Sequence, residues 1–108
     1  MDLSKLKYVP ADNYYISLVL KNNERVCFLD YDHRIRTFAE TGHILDEIAT
    51  KLSTNPFGKV KLTIVVGYDA AGAKDRDMLL YIVDGVIRKH RTCNIRIERK
   101  TSNIKSDW

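Results

Sequence analysis

Apolar and polar residues alternate along the first third of the chain, which is the pattern of β-strands that bury one face. The alternation is clearest in segment 14–20, where the apolar positions are Tyr14, Ile16, Leu18 and Leu20. Segment 25–31 is rich in β-branched and aromatic residues, and a short third strand is predicted over 34–38 after a polar turn. The sequence therefore predicts that the chain begins with an antiparallel meander.

Two later segments carry apolar residues at helical spacing. Thr37 and Glu40 have the spacing of a capping box, which predicts a helix over about 39–52. Its expected buried stripe is Phe38, Thr41, Ile44, Leu45, Ile48 and Leu52. Gly42 weakens the first turn, so a shorter helix capped by Thr41 is the alternative. A second helix is predicted to start from a cap at Asp75 or Asp77, with an inward face of Met78, Leu79, Ile82, Val83, Val86 and His90.

Two further strands complete the pattern. Segment 60–66 alternates strictly and is expected to be central in the sheet, and segment 93–99 places Cys93, Ile95 and Ile97 on one face. Because a helix separates these two strands, a right-handed β-α-β crossover should make them parallel.

The order ββ(β)αβαβ defines the expected fold class. It predicts an α+β two-layer sandwich, in which a mixed sheet carries both helices on one face. A chain of 108 residues is long enough to bury one core without metals or disulfides. We expect a single domain over 1–99 and a flexible polar tail over 100–108.

The two cysteines bear on the cellular compartment. Cys27 and Cys93 each lie in an apolar, strand-like stretch, where a reduced and buried thiol is the usual state. A bridge between them is the alternative that an even count permits. The N-terminal segment has no apolar core of a signal peptide, and we expect a cytoplasmic protein that does not enter a membrane.

Charge is the most informative feature for function. Residues 1–58 carry 7 basic and 8 acidic side chains, whereas residues 59–108 carry 11 and 6, a local excess of +5. The predicted binding residues, which face only Glu98 in the sequence, are Arg88, Lys89, Arg91, Arg96, Arg99 and Lys100. Such a patch suits an acidic protein surface or a phosphate backbone. A solvated face with cations at a helix C-terminus is the alternative.

Asp69, Asp75 and Asp77 form an acidic cluster around the start of the second predicted helix. Carboxylates in this arrangement can hold magnesium for phosphodiester cleavage. The stretch resembles RusA-like Holliday-junction resolvases, which implies a metal-dependent nuclease. That family's core reads Asp-x-Asp-Asn, whereas Met78 follows Asp77 here. Capping and the helix dipole alone also favour aspartates at this position.

The remaining candidate groups do not complete a metal site. Asp30, Asp32 and His33 lie on a predicted turn, and His90 with Cys93 has the spacing of two ligands, but no further ligands give a zinc pattern. We therefore predict no cofactor and no metal.

The predicted function is that of a small non-enzymatic binding protein. Its basic C-terminal surface would dock on an acidic protein or a nucleoprotein complex, as a regulator or viral inhibitor of a larger assembly does. Direct sequence-independent nucleic-acid binding and a divergent metal-dependent DNA nuclease are the alternatives. Exposed sheet edges further predict a homodimer.

Overall fold

The computed structural model describes residues 13–21, 26–29, 34–54, 59–68 and 73–103. The strands are β1 (Asn13–Lys21), β2 (Val26–Leu29), β3 (Arg34–Thr37), β4 (Val60–Tyr68) and β5 (Ile95–Asn103). The helices are α1 (Phe38–Ser53) and α2 (Ala73–Lys89). This is the α+β element order that the sequence predicts.

The five described strands form one mixed sheet in the order β3-β2-β1-β4-β5. The first three pair antiparallel, which confirms the meander. β4 pairs parallel with β1 on one side and with β5 on the other, so the predicted parallel relation of β4 and β5 is also confirmed. β4 is an interior strand as expected, although β1 occupies the middle of the order.

The core lies between the sheet and the two helices, which also pack against each other. The strand residues that face it are those the alternation marks: Ile16, Leu18, Leu20, Val60, Leu62, Ile64 and Val66. α1 contributes its whole predicted stripe, and α2 contributes Leu79, Val83 and Val86. The opposite parity of each strand faces away from the helices, because successive strand residues point to opposite faces.

The start of α1 follows the predicted capping box. The Thr37 hydroxyl accepts from the Glu40 amide at 3.2 Å, and the Glu40 carboxylate accepts from the Thr37 amide at 3.3 Å. Thr37 is therefore the cap, which rules out the shorter helix from Thr41. The Thr41 hydroxyl instead donates to the Thr37 carbonyl at 2.8 Å and lies 2.9 Å from the Cys27 sulfur.

Four expectations about the second half of the chain were wrong. α2 already begins at Ala73, so Asp75 and Asp77 lie inside the helix rather than capping it. Met78 is 41% exposed, because it falls beside the buried stripe and not within it. Cys93 lies in the exposed turn before β5, so its thiol is not buried.

The fourth wrong expectation concerns the predicted C-terminal tail over 100–108. β5 continues through Asn103. Residues 100–103 are polar and have no apolar pattern of their own, but parallel pairing with β4 supplies their hydrogen-bond partners. The ordered domain therefore passes the predicted boundary at 99, and residues 104–108 lie outside the described part.

Candidate functional site

A shallow groove of about 180 Å³ lies where the end of α2, the start of β5 and the residue before β4 meet. Three exposed cationic residues are among those that line it: Lys59, Arg91 and Arg96. Ile87, Ile95 and Ile97 supply an aliphatic wall. No Asp or Glu among the described residues lines this basic groove, and none of them pairs with its three cations.

The fold explains why these cations converge. Ile95 and Ile97 face the helices, and Arg96 between them points to the other face. All three line the groove, which therefore lies at the β5 edge of the described sheet. The parallel register pairs Val60 with Ile95, which brings Lys59 next to the start of β5. Arg91 follows α2 in the turn that leads into the strand.

His90 forms the inner part of the groove and ties it to α1. Its side chain is only 6% exposed, and Nε2 lies 2.6 Å from Asp46 Oδ1. The other Asp46 oxygen accepts from Lys89 Nζ at 2.8 Å. The Lys89 hydrogen bond, with that of His90, lowers the pKa of Asp46 below its ordinary value. This Asp46 clamp fixes the end of α2 against the middle of α1.

The six predicted binding residues do not form one continuous patch. Lys89 is held by Asp46, and Arg99 Nε donates to Asp84 Oδ1 at 2.6 Å, since its strand parity points it toward α2 rather than out at the sheet edge. The Arg88 guanidinium lies 5.9 Å from the centre of the exposed Tyr81 ring. The expectation that these cations face only Glu98 was therefore wrong, because the helices supply acidic partners that are distant in sequence.

The open face of the sheet holds a separate charge cluster. Glu98 Oε1 lies 3.0 Å from Lys61 Nζ and 4.0 Å from Lys100 Nζ. The hydrogen bond from Lys61 lowers the pKa of Glu98. Lys100 is thus near a compensating carboxylate, whereas Arg91 and Arg96 are the two predicted residues that reach the basic groove.

Sequence reasoning missed Lys59, Asp46 and Asp84. Lys59 precedes its strand and lies outside the basic run, and its place in the groove depends on the β4–β5 register. Asp46 directly follows the buried Leu45 and lies three residues before the buried Ala49, so the sequence places it next to the buried side of α1. Its partners, however, are 43 and 44 residues away.

The acidic cluster is not assembled among the described residues. Asp77 is 83% exposed and lies 3.3 Å from Arg76 Nε, while Asp75 is half-buried in the first turn of α2. Asp69, Asp30, Asp32 and His33 lie outside the described residues. Within the described ranges, no three His, Cys, Asp or Glu side chains are close enough to share a metal ion.

Comparison with known proteins adds no relative. No family model matches the chain, and neither a curated protein nor a solved structure is significantly similar to it. Within the described part, neither helix has the length and apolar character needed to cross a membrane.

Proposed function

We propose that this protein is a non-enzymatic binding protein that docks on an acidic protein surface, alone or within a nucleoprotein complex, through the basic groove. The proposal includes a role as a small regulator or viral inhibitor of a larger assembly. One observation carries the proposal: Lys59, Arg91 and Arg96 converge on one groove that no described acidic side chain neutralises. Cations placed in this way attract an anionic partner and orient it during docking.

The same proposal places the protein in the cytoplasm. Both thiols are free, and free cysteines are typical of reducing compartments. The proposal also includes self-association of the chain as a homodimer, because the sheet face opposite the helices exposes Tyr15 and Ile35.

Charge reversal of the groove tests the proposal. Lys59→Glu, Arg91→Glu and Arg96→Glu should together weaken binding of a short glutamate-rich peptide at least about tenfold, since three attractive contacts become repulsive. The melting temperature should stay nearly constant, because exposed charges contribute little to folding. Lys89 is left unchanged, since a glutamate there would face Asp46.

The matched control reverses two exposed cations outside the groove, Arg34 and Arg88, and is compared with the reversal of Arg91 and Arg96 alone. The change in net charge is then identical, so equal losses in both double variants would mean that net charge and not the groove binds the peptide. The proposal fails if the groove variant binds as tightly as the natural protein.

The salt dependence of binding to a short DNA duplex distinguishes the leading function from direct nucleic-acid binding. Contacts to several phosphates lose orders of magnitude in affinity between low and physiological salt, and a packed protein interface loses much less. Magnesium-dependent cleavage of branched or duplex DNA that is abolished by Asp75→Ala or Asp77→Ala would replace the binding function with a nuclease.

A further inference from the structure

The basic groove has an aliphatic wall as well as a cationic rim, and this combination defines the chemistry of its occupant. We propose that the groove binds an extended acidic peptide segment of a partner protein, with one aliphatic side chain inserted against Ile87 and Ile97. Carboxylates that flank this side chain contact Lys59, Arg91 and Arg96. The inference rests on the proposed function of the same groove and names its partner.

The aliphatic wall favours a peptide over a nucleic acid. Ile87 and Ile97 are half-buried, and Ile95 behind them is 3% exposed, so aliphatic surface remains accessible at the groove. A leucine or isoleucine side chain would remove that surface from water. Single-stranded nucleic acids are held mainly by Phe, Tyr and Trp rings that stack on bases, and none of these residues in the described part lines this groove.

The size of the groove favours one side chain over a small-molecule ligand. Its volume of about 180 Å³ is below the roughly 300–1,000 Å³ of typical ligand pockets. A peptide needs no larger cavity, because its main chain and neighbouring side chains lie across the rim.

The rim matches carboxylates that flank an inserted side chain. Arg91 and Arg96 carry guanidinium groups, and each of these can donate two parallel hydrogen bonds to one carboxylate. They belong to the turn after α2 and to β5, while Lys59 belongs to the segment before β4, so the cations come from three positions around the wall.

The inner part of the groove is held in position by the protein itself. The ring of His90 lines it and is fixed from behind by Asp46 at 2.6 Å. His90 Nδ1 is buried without a hydrogen-bond partner among the described residues. A preformed site costs less ordering on binding, which favours recognition of a short segment.

Three matched synthetic peptides test the inference by titration into isotope-labelled protein, followed by amide NMR shifts. The first has one central leucine flanked by glutamates, the second replaces the leucine with serine, and the third replaces the glutamates with glutamines. The first peptide should bind at least about tenfold more tightly than the second, since burial of one leucine side chain is worth about that factor. It should also bind more tightly than the third, because glutamines present no carboxylate to Lys59, Arg91 and Arg96. The largest shifts should fall on the amides of Ile87, Arg91 and residues 95–97.

The outcomes separate this inference from the function on which it rests. If the groove reversal of Lys59, Arg91 and Arg96 abolishes binding while the leucine and serine peptides bind equally, the proposed function stands and the inference is overturned. If the reversal has no effect, the proposed function falls. The inference is also overturned if a short DNA duplex shifts these amides while the leucine peptide does not, or if no peptide shifts them at millimolar concentration.

Discussion

At the scale of single residues, burial separates two cysteines that look alike in the sequence. Cys27 is fully buried beside the Thr41 hydroxyl, and burial raises the pKa of its thiol. Cys93 is exposed in the turn before β5. The thiolate is the reactive form of cysteine. Cys27 is therefore protected in two ways, because reagents cannot reach it and because its raised pKa keeps the thiol protonated.

We therefore predict that iodoacetamide modifies one thiol per folded chain at pH 8, namely Cys93, and modifies Cys27 only in denaturant. Mass spectrometry of the digested protein would locate the label, and Cys93→Ser should leave no fast-reacting thiol. Equal rates at both cysteines in the folded protein would contradict the buried position of Cys27.

The carboxylate of Asp46 gives a second residue-scale prediction. Its folded pKa is lower than the unfolded value of about 3.9, so its ionised form stabilises the fold. That contribution is fully present above the unfolded pKa and is lost as the pH falls through the folded value. Asp46→Asn should cost about 1 kcal/mol at pH 7, since two hydrogen bonds lose their charge.

Urea unfolding at pH 7 and below pH 4 would measure this effect. The difference between Asp46→Asn and the natural protein should shrink in acid, whereas Asp77→Asn, at an exposed carboxylate, should change little at either pH. A stability loss that is equal at both pH values would show that the charge of Asp46 does not stabilise the clamp.

At the scale of elements, the packing of α1 against α2 explains the presence of a residue with low helix propensity. Gly42 lies inside α1, where alanine would improve helix propensity by about 1 kcal/mol. A Cβ at this position would meet Ile82 Cγ2 at 2.8 Å, which is too close for two carbon atoms. Glycine therefore permits the close approach of the helices.

A double-mutant cycle tests this contact. Gly42→Ala should destabilise the natural protein by about 1 kcal/mol or more, because the helices must separate. In an Ile82→Ala background the clash is removed, and Gly42→Ala should then raise the free energy of unfolding. The contact would have no energetic weight if Gly42→Ala stabilised the protein equally in both backgrounds.

At the scale of the whole molecule, the layers leave one sheet face without helices. Tyr15 is 66% exposed on this face, and Ile35 is 59% exposed on β3, an outer strand of the described sheet. Four charged residues of this face lie on the other half, on β4 and β5: Lys61, Arg96, Glu98 and Lys100. The two exposed apolar side chains thus lie on β1 and β3, in the half of the sheet away from β4 and β5.

We predict that this apolar half joins two copies about a twofold axis. Light scattering at tens of micromolar should give about twice the chain mass of 12.5 kDa, and Tyr15→Glu with Ile35→Glu should return it to a single chain mass. A single chain mass for the natural protein at all concentrations would contradict the dimer.

The sequence by itself determined the order of elements, because periodicity and capping are local. Alternation identified the buried face of β1 and β4, and the Thr37–Glu40 spacing located the start of α1. The parallel direction of β4 and β5 was also predicted, since a helix that crosses the sheet between two strands returns the chain to the same end of the sheet. The polar end of β5 could not be predicted, because its strand structure comes from its partner and not from an apolar pattern.

Only the tertiary structure decided which charges face one another. The sequence showed a basic C-terminal half, but Lys89 and Arg99 meet acidic residues of α1 and α2, whereas Lys59 joins Arg91 and Arg96 at the groove. Ion pairs depend on the distance between side chains, and packing of elements far apart in the chain sets that distance. Local patterns carry no information about it, so the net charge of this region was readable in the sequence and the position of the basic groove was not.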